Sequence, residues 1–235
     1  MPGCRAPTPV TRSETGKAPM VRQAAVTIVL AGWLGFCGCA RFGAPPDLPS
    51  AKAAVARYME GGAYERDVRR ALRPVLQALA DIPAAAAVHA ALVLDIDETA
   101  LSTYEYQKGM GFGHYTPAWR EWQQQRRATA VGPVLEVCRA ARDKGVAVFF
   151  VTGRREAGRA DTEANLRAAG YEGWAEVMMK PDAHKEVSVA PFKTACREQI
   201  EARGYRILFN IGDQDSDLTG GHAERTVRLL NPIYR

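Results

Sequence analysis

Asp95, Asp97 and Thr99 follow one another at a spacing of two, directly after the apolar run Ala91–Leu94. That run reads as a buried strand, and the carboxyl edge of an open α/β sheet is where ligands bind. Two carboxylates on one face of a strand end repel each other. A cation or a shared proton relieves the repulsion. A hard metal such as Mg²⁺, which accepts a few carboxylate oxygens and keeps several waters, suits these donors. The two acids can also divide the work, one as nucleophile and one as general acid/base. The plainer reading is a strand running into an Asp-rich turn, since Asp and Thr cap helices and turns.

Two other strand ends carry chemistry. Val146–Val151 is fully apolar and leads into Thr152-Gly153-Arg154. A hydroxyl followed by unobstructed backbone N–H groups suits phosphate oxygens at a helix start, although Thr152 could equally be a helix N-cap. Arg206–Ile211 leads into Gly212-Asp213-Gln214-Asp215-Ser216-Asp217. Three acids in five residues call for a cation. An EF-hand loop is discounted because its Gly and Glu are missing where that loop needs them. The acidic turn is expected at the same sheet edge as Asp95 and Asp97, which makes a metal site assembled from two strands. Lys193, which opens the helix before the strand Arg206–Ile211, could offset the negative charge. Lys180 and Lys185 compete for that role.

The elements that must position these groups alternate. Ala51–Ala80 reads as helix, broken at Gly61-Gly62 and bent near Pro74. After the first strand come helix Gly132–Lys144, strand Val146–Val151, helix Arg159–Ala169, strand Ala175–Met179, helix Pro191–Arg203, strand Arg206–Ile211 and a last short strand, Thr226–Leu230. Apolar strands alternating with helices imply an α/β fold: a doubly wound, mainly parallel, Rossmann-like sheet of about five strands with helices on both faces. Residues of about 100–130 break the alternation. They hold Tyr104, Tyr106, Phe112, Tyr115, Trp119 and Trp122, with Gly109, Gly111 and Gly113 between. An aromatic-rich insertion after the reactive strand is a natural lid. Trp119 and Trp122, at helical spacing, read as packing anchors. Tyr104, Phe112, Tyr115 and His114 could pack or meet a ligand.

The 235 residues carry a formal charge of +5. Residues 1–38 contribute +3 of this, leaving +2 for the remainder, so the chain gives little support to a nucleic-acid polymer as partner. Met20-Val21-Arg22 opens a short basic stretch, and Ala24–Gly38 is apolar but too short for a comfortable membrane span. This segment resembles a bacterial lipoprotein signal, with Gly38 before a lipidated Cys39. The implied organisation is an extension and signal over 1–38 (the true start being Met20 or Met1), a Pro-rich tether over 39–50 and a folded domain over 51–235. The expected location is the periplasmic side of an outer membrane, held by a lipid anchor, with a soluble periplasmic or secreted form as the alternative. Cys138 and Cys196 fall in helical patterns, and either a disulfide or two buried free thiols is open.

Taken in order, Asp95-Ile-Asp-Glu-Thr99, Val151-Thr-Gly-Arg154, Lys193 and Gly212-Asp-Gln-Asp-Ser-Asp217 resemble the four motifs of the haloacid dehalogenase superfamily. Trp119-x-x-Trp122 and Leu230-Asn-Pro-Ile-Tyr234 resemble its acid phosphatase branch, subfamily IIIB, which groups plant vegetative-storage-type phosphatases with bacterial lipoprotein acid phosphatases. Asp215 departs from the aromatic residue usual at its position. The resemblance implies an acid phosphatase acting on a small phosphomonoester, 5′-nucleotides among the candidates. Asp95 would be the nucleophile that forms an aspartyl-phosphate, and Asp97 the acid/base. Thr152, Gly153 and Lys193 would hold phosphate. Mg²⁺ would be bound by Asp95, the backbone carbonyl of Asp97, and Asp213, with Asp217 touching the ion or supporting those that do. The alternative is a non-catalytic storage or binding protein on the same fold. Oligomeric state stays open.

Overall fold

The computed structural model describes residues 47–183 and 188–234. The signal-like segment, Met20, Cys39 and Lys185 lie outside the described residues. Pro45–Arg235 forms one compact unit.

Asp47 caps the first helix, its carboxylate accepting from the Ser50 backbone N–H at 2.9 Å and Pro49 filling the first turn. That helix, α1 (Leu48–Glu60), therefore begins three residues before Ala51, and Leu48–Ser50 of the expected tether are helical. Gly62, at φ 73°, turns the chain into α2 (Ala63–Asp81). In α2, Tyr64, Val68, Leu72, Val75 and Leu79 are buried at spacings of three and four, and the charged residues face out. The single-turn α3 (Ala84–Ala87) leads into β1 (Ala90–Leu94).

The insertion follows. β2 (Leu101–Ser102) and β3 (Thr129–Ala130) pair antiparallel and close its base. Between them stand α4 (Tyr104–Gly109) and α5 (Thr116–Gln124). The alternation then resumes as α6 (Gly132–Asp143), β4 (Ala147–Arg155), a 3-10 turn, α7 (Arg159–Ala168), β5 (Glu176–Lys180), α8 (Val189–Ala202), β6 (Arg206–Gly212), α9 (Asp215–Leu218) and β7 (Arg225–Arg228).

The main sheet runs β5-β4-β1-β6-β7, and every pairing in it is parallel. The chain moves outward from β1 to β4 and β5, then returns to the other side of β1. Strand order thus reverses at β1, so the residues after Leu94 stand at the crevice where such sheets hold ligands. Side chains of β1 alternate between two apolar layers. Leu92 and Leu94 join the layer that includes α2, α6 and Leu166. Ala91 and Val93 join the layer that includes Ile200 of α8. Cys138 belongs to the first layer and Cys196 to the second; both are buried free thiols with the sheet between them, so the disulfide is ruled out.

β4 runs four residues beyond the expected end at Val151, because Arg155 still pairs with Lys180 of β5 after a register break. Thr152 and Gly153 therefore lie within a strand. Neither caps a helix, and α7 starts only at Arg159. The Cys138 and Cys196 thiols, by contrast, sit where the helical patterns placed them. Among the described residues no helix is long and apolar enough to cross a membrane.

Candidate active site

The loop after β1 is held by its own backbone. Asp95 N–H donates to Ile211 at 3.0 Å, extending the ladder to β6. Leu101 N–H donates to Ile96 and Glu98 N–H to Leu101, both at 2.8 Å, which folds residues 96–101 into a tight turn. Glu98 at its tip has φ 54°. A non-glycine residue in that region is strained and needs fixing by its surroundings. The fixing comes from Thr103, whose backbone N–H and hydroxyl both donate to Glu98 Oε1 at 2.5 Å. Among the described residues, Glu98 Oε2 and the Tyr64 hydroxyl are buried without a hydrogen-bond partner. Burial pushes the Glu98 carboxyl up to about 7.

This turn delivers Asp95 inward. Lys193, in the second turn of α8, donates to Asp95 Oδ1 and to Asp217 Oδ1, the latter at 2.7 Å. Its side chain is 4% exposed. Burial works against its charge, but the two carboxylates outweigh that and hold its pKa up. Burial pushes the Asp95 carboxyl well above its ordinary range, and the ammonium opposes this only in part. Asp213 is reached by three chain donors: Thr99 Oγ1 at 3.3 Å, Gln214 Nε2 at 2.6 Å and Asn231 Nδ2 at 2.7 Å. Burial raises its pKa, and the Gln214 and Asn231 hydrogen bonds pull the other way. Asp217 Oδ2 accepts from the Gln214 backbone N–H at 2.8 Å. Carboxylate oxygens of Asp95, Asp213 and Asp217 lie within 4.8 Å of one another.

Only glycine fits at position 212, where a Cβ would stand 2.4 Å from the Asp217 Cβ. Asp217 is seated by Arg197, a fully buried residue of α8. Its guanidinium donates to the carbonyls of Asp217 at 2.9 Å and Gly221 at 2.8 Å, and to that of Thr219. Asp215 instead turns out to solvent and pairs with Arg228. Of the three clustered acids, two reach the site.

Asp97 faces the other way. Its side chain, 20% exposed, meets Arg154, whose Nε lies 3.0 and 3.2 Å from its two oxygens and whose Nη2 lies 2.6 Å from Oδ1. Thr152 is buried, and its Oγ1 accepts from the Arg154 backbone N–H at 3.2 Å, which leaves the hydroxyl proton available to a ligand. A cavity of about 390 Å³ opens beside Asp97, lined by Gln107, Phe112, His114, Trp119, Ile233 and Tyr234 among others.

The lid aromatics separate by role. Trp122 is buried against Tyr106 and stacks on Trp119 at 5.5 Å. Trp119 packs there too, yet also forms cavity wall, so it is more than the anchor its spacing suggested. Phe112 and His114 line the cavity. Tyr104 is tied away, its hydroxyl donating to Glu60 of α1 at 2.7 Å. Tyr115 is exposed. Lys180 is buried in β5, and it is Lys193 that reaches the acids.

Asp95, Asp213, Asp217 and Lys193 are thus brought together, with Thr152 at the end of the neighbouring strand and Asp97 on the turn beyond Asp95. Arg154 and Glu98 stand inside the recognised motifs with no expected task, and neither Arg197 nor the Asn231 contact was expected. A clue existed only for Asn231, which stands in the Leu230–Tyr234 ending.

The family model described as HAD superfamily, subfamily IIIB (acid phosphatase), matches residues 45–235. The stem 28 kDa glycoprotein of Glycine max is 37% identical over 148 residues, which cover 60% of this chain and 58% of that protein. Acid phosphatase 1 of Solanum lycopersicum is 28% identical over 184 residues, 77% of this chain and 72% of that one. The class C acid phosphatase structure from Bacillus anthracis superposes with a TM-score of 0.65 at 19% identity, covering 80% of this chain and 86% of the other; likeness at that identity speaks for the fold. The chain spans between half and three-fifths of the three Glycine max stem glycoproteins that it matches. With the family model spanning nearly the whole described fold, the chain belongs to the haloacid dehalogenase superfamily, subfamily IIIB (acid phosphatase).

Proposed function

We propose that the protein is a Mg²⁺-dependent phosphomonoesterase working through an aspartyl-phosphate on Asp95. The observation that carries this is the division of the carboxylates. Asp95 is buried against Lys193, while Asp97, two residues on, opens to a cavity. An oxygen of Asp95 would attack phosphorus as the ester P–O bond breaks, with Asp97 giving its proton to the departing oxygen. Asp97 would then take a proton from water as that water attacks the phosphorus of the aspartyl-phosphate, restoring Asp95 and releasing phosphate. Thr152 Oγ1, the Gly153 N–H and Lys193 Nζ are the donors for the phosphoryl oxygens. Positioning and charge neutralisation are most of what phosphoryl transfer requires.

The donor set fits a hard divalent ion: buried carboxylates of Asp95, Asp213 and Asp217 offer oxygens within 4.8 Å of one another. Asp95, Asp213 and the Asp97 carbonyl would hold it. Asp217, with one oxygen on Lys193 and the other on the Gln214 N–H, would support it. When bound, the ion supplies positive charge against which the phosphoryl group is neutralised. Phe112, Trp119 and Tyr234 around the cavity suit small phosphomonoesters with a flat leaving group, 5′-nucleotides included. Export and attachment through a lipidated Cys39 rest on the sequence of residues 20–39. Vegetative storage protein 1 of Arabidopsis thaliana, 29% identical over 146 residues, motivates the storage alternative, against which stands the presence of the nucleophile Asp95.

The test is hydrolysis of p-nitrophenyl phosphate at mildly acidic pH by the purified protein. The expected result is turnover that EDTA abolishes and added Mg²⁺ restores. Absence of turnover with Mg²⁺ present would favour storage, and full turnover in EDTA would remove the metal from the proposal.

A further inference from the structure

Arg154 is among the most buried cations of the fold, its side chain 3% exposed. Three of its contacts go to one carboxylate, that of Asp97. Among the described residues that carboxylate has no other hydrogen-bond partner. Two further elements fix the guanidinium. Thr162 of α7 accepts from Nη1 at 3.2 Å, and the Trp119 ring of the lid lies 5.8 Å from its central carbon. Burial opposes its charge, but the Asp97 carboxylate more than compensates. The planar fork suits this task in a way that an ammonium would not.

Resting on the phosphomonoesterase reading, we infer that Arg154 is the positioning residue for the proton donor. It anchors Asp97 through both oxygens, Nη2 and Nε on Oδ1 and Nε at 3.0 Å on Oδ2, and Oδ2, with the single contact, keeps a lone pair for the proton that passes to the departing group. An unanchored Asp97 side chain, with about two rotatable bonds, would sample several rotamers, and a proton donor misplaced by about 1 Å can cost ~10²-fold. Thr162 and Trp119 hold the anchor from the helix and lid sides, so lid packing reaches the proton donor through Arg154.

A positioning residue for a proton donor has a signature that loss of fold or of phosphate binding lacks. A good leaving group departs without a proton, whereas a poor one needs it. The test compares kcat/KM, which reports the step in which the ester bond breaks, for p-nitrophenyl phosphate and ethyl phosphate in the full chain. The variants are Arg154→Met, Arg154→Lys, Thr162→Val, Asp97→Asn and the Arg154→Met/Asp97→Asn pair. The inference expects Arg154→Met to lose about tenfold more on ethyl phosphate than on p-nitrophenyl phosphate, within the range general acid catalysis spans. Arg154→Lys should recover part of that selective loss. Thr162→Val should show the same selectivity more weakly, which keeps the test sound if Arg154→Met does not fold. In the Asp97→Asn background Arg154→Met should add little, since the two act as a unit. Equal losses on both esters, a defect confined to KM, or no loss at all would overturn the inference while leaving the phosphatase reading intact. A wild type inactive on both esters would instead overturn that reading, and this inference with it.

Discussion

The site has an inner and an outer half, built differently. The inner half, Asp95, Asp213, Asp217 and Lys193, comes from the ends of β1 and β6 and from α8. All four residues are buried, and their contacts run to each other and to fixed donors such as Asn231 and the Gln214 N–H. The outer half, Asp97, Arg154 and the lid, comes from the turn after β1, the overlong end of β4 and the insertion. There the carboxylate is partly exposed and the walls are aromatic. On the proposed mechanism, charge balance falls to the buried half and leaving-group contact to the half that opens. Interactions among charges are strongest where solvent is absent, and proton delivery needs a group that meets the substrate.

The sharpest way to break this comparison is to remove one acid from each half. Asp95→Asn should lower turnover of p-nitrophenyl phosphate by at least ~10⁴-fold, as loss of a nucleophile does. Asp97→Asn should cost at least ~10²-fold on ethyl phosphate, whose poor leaving group needs the proton, the low end for a general acid. Steady-state kinetics showing the reverse order would collapse the distinction. Next in size is Lys193→Met. It leaves two buried carboxylates facing each other without their cation and should cost about 3–5 kcal/mol of stability, read by chemical denaturation. An unchanged midpoint would mean the inner half is not held by charge.

The smallest effect belongs to Glu98, on the turn that joins the halves. Its carboxyl is near 7 in the folded protein against an ordinary 4.5. Between those values the folded state keeps a proton that the unfolded chain has released, so stability falls as pH rises through that window. In metal-free protein, Glu98→Gln should be more stable than wild type by about 3 kcal/mol at pH ~8, with the gap closing toward pH ~4.5. Thermal melts at the two pH values check this, and a gap that does not depend on pH would refute the assignment.

Much of the inner half could be read from the chain, because its acids end apolar strands and strand ends of a doubly wound sheet converge by topology. Asp95 and Asp213 follow from that alone. Lys193 was separated from Lys180 by the family resemblance and not by spacing, since the phase of α8 against the sheet is a tertiary matter. The outer half was less legible. Arg154 sits 57 positions from Asp97 in the chain, and nothing in a Thr-Gly-Arg run marks which carboxylate its guanidinium will find. The end of β4 was misjudged for a related reason: Thr152 and Gly153 look like a strand exit, yet pairing with β5 resumes at Arg155. Asp215 was not among the expected ligands, and a single helical turn points it at Arg228.

The placement of Cys138 and Cys196 on opposite sides of the sheet has a practical consequence. With the thiols pushed up to about 12, neither offers much thiolate, and among the described residues an oxidant has no pair within reach to join. No crosslink between these two thiols is therefore gained in an oxidising compartment or lost in a reducing one. Each sulfur is instead an independent reporter of its own layer: alkylation at Cys138 registers opening beneath α6, and alkylation at Cys196 registers opening beneath α8, so pulsed labelling during refolding would time the two layers separately.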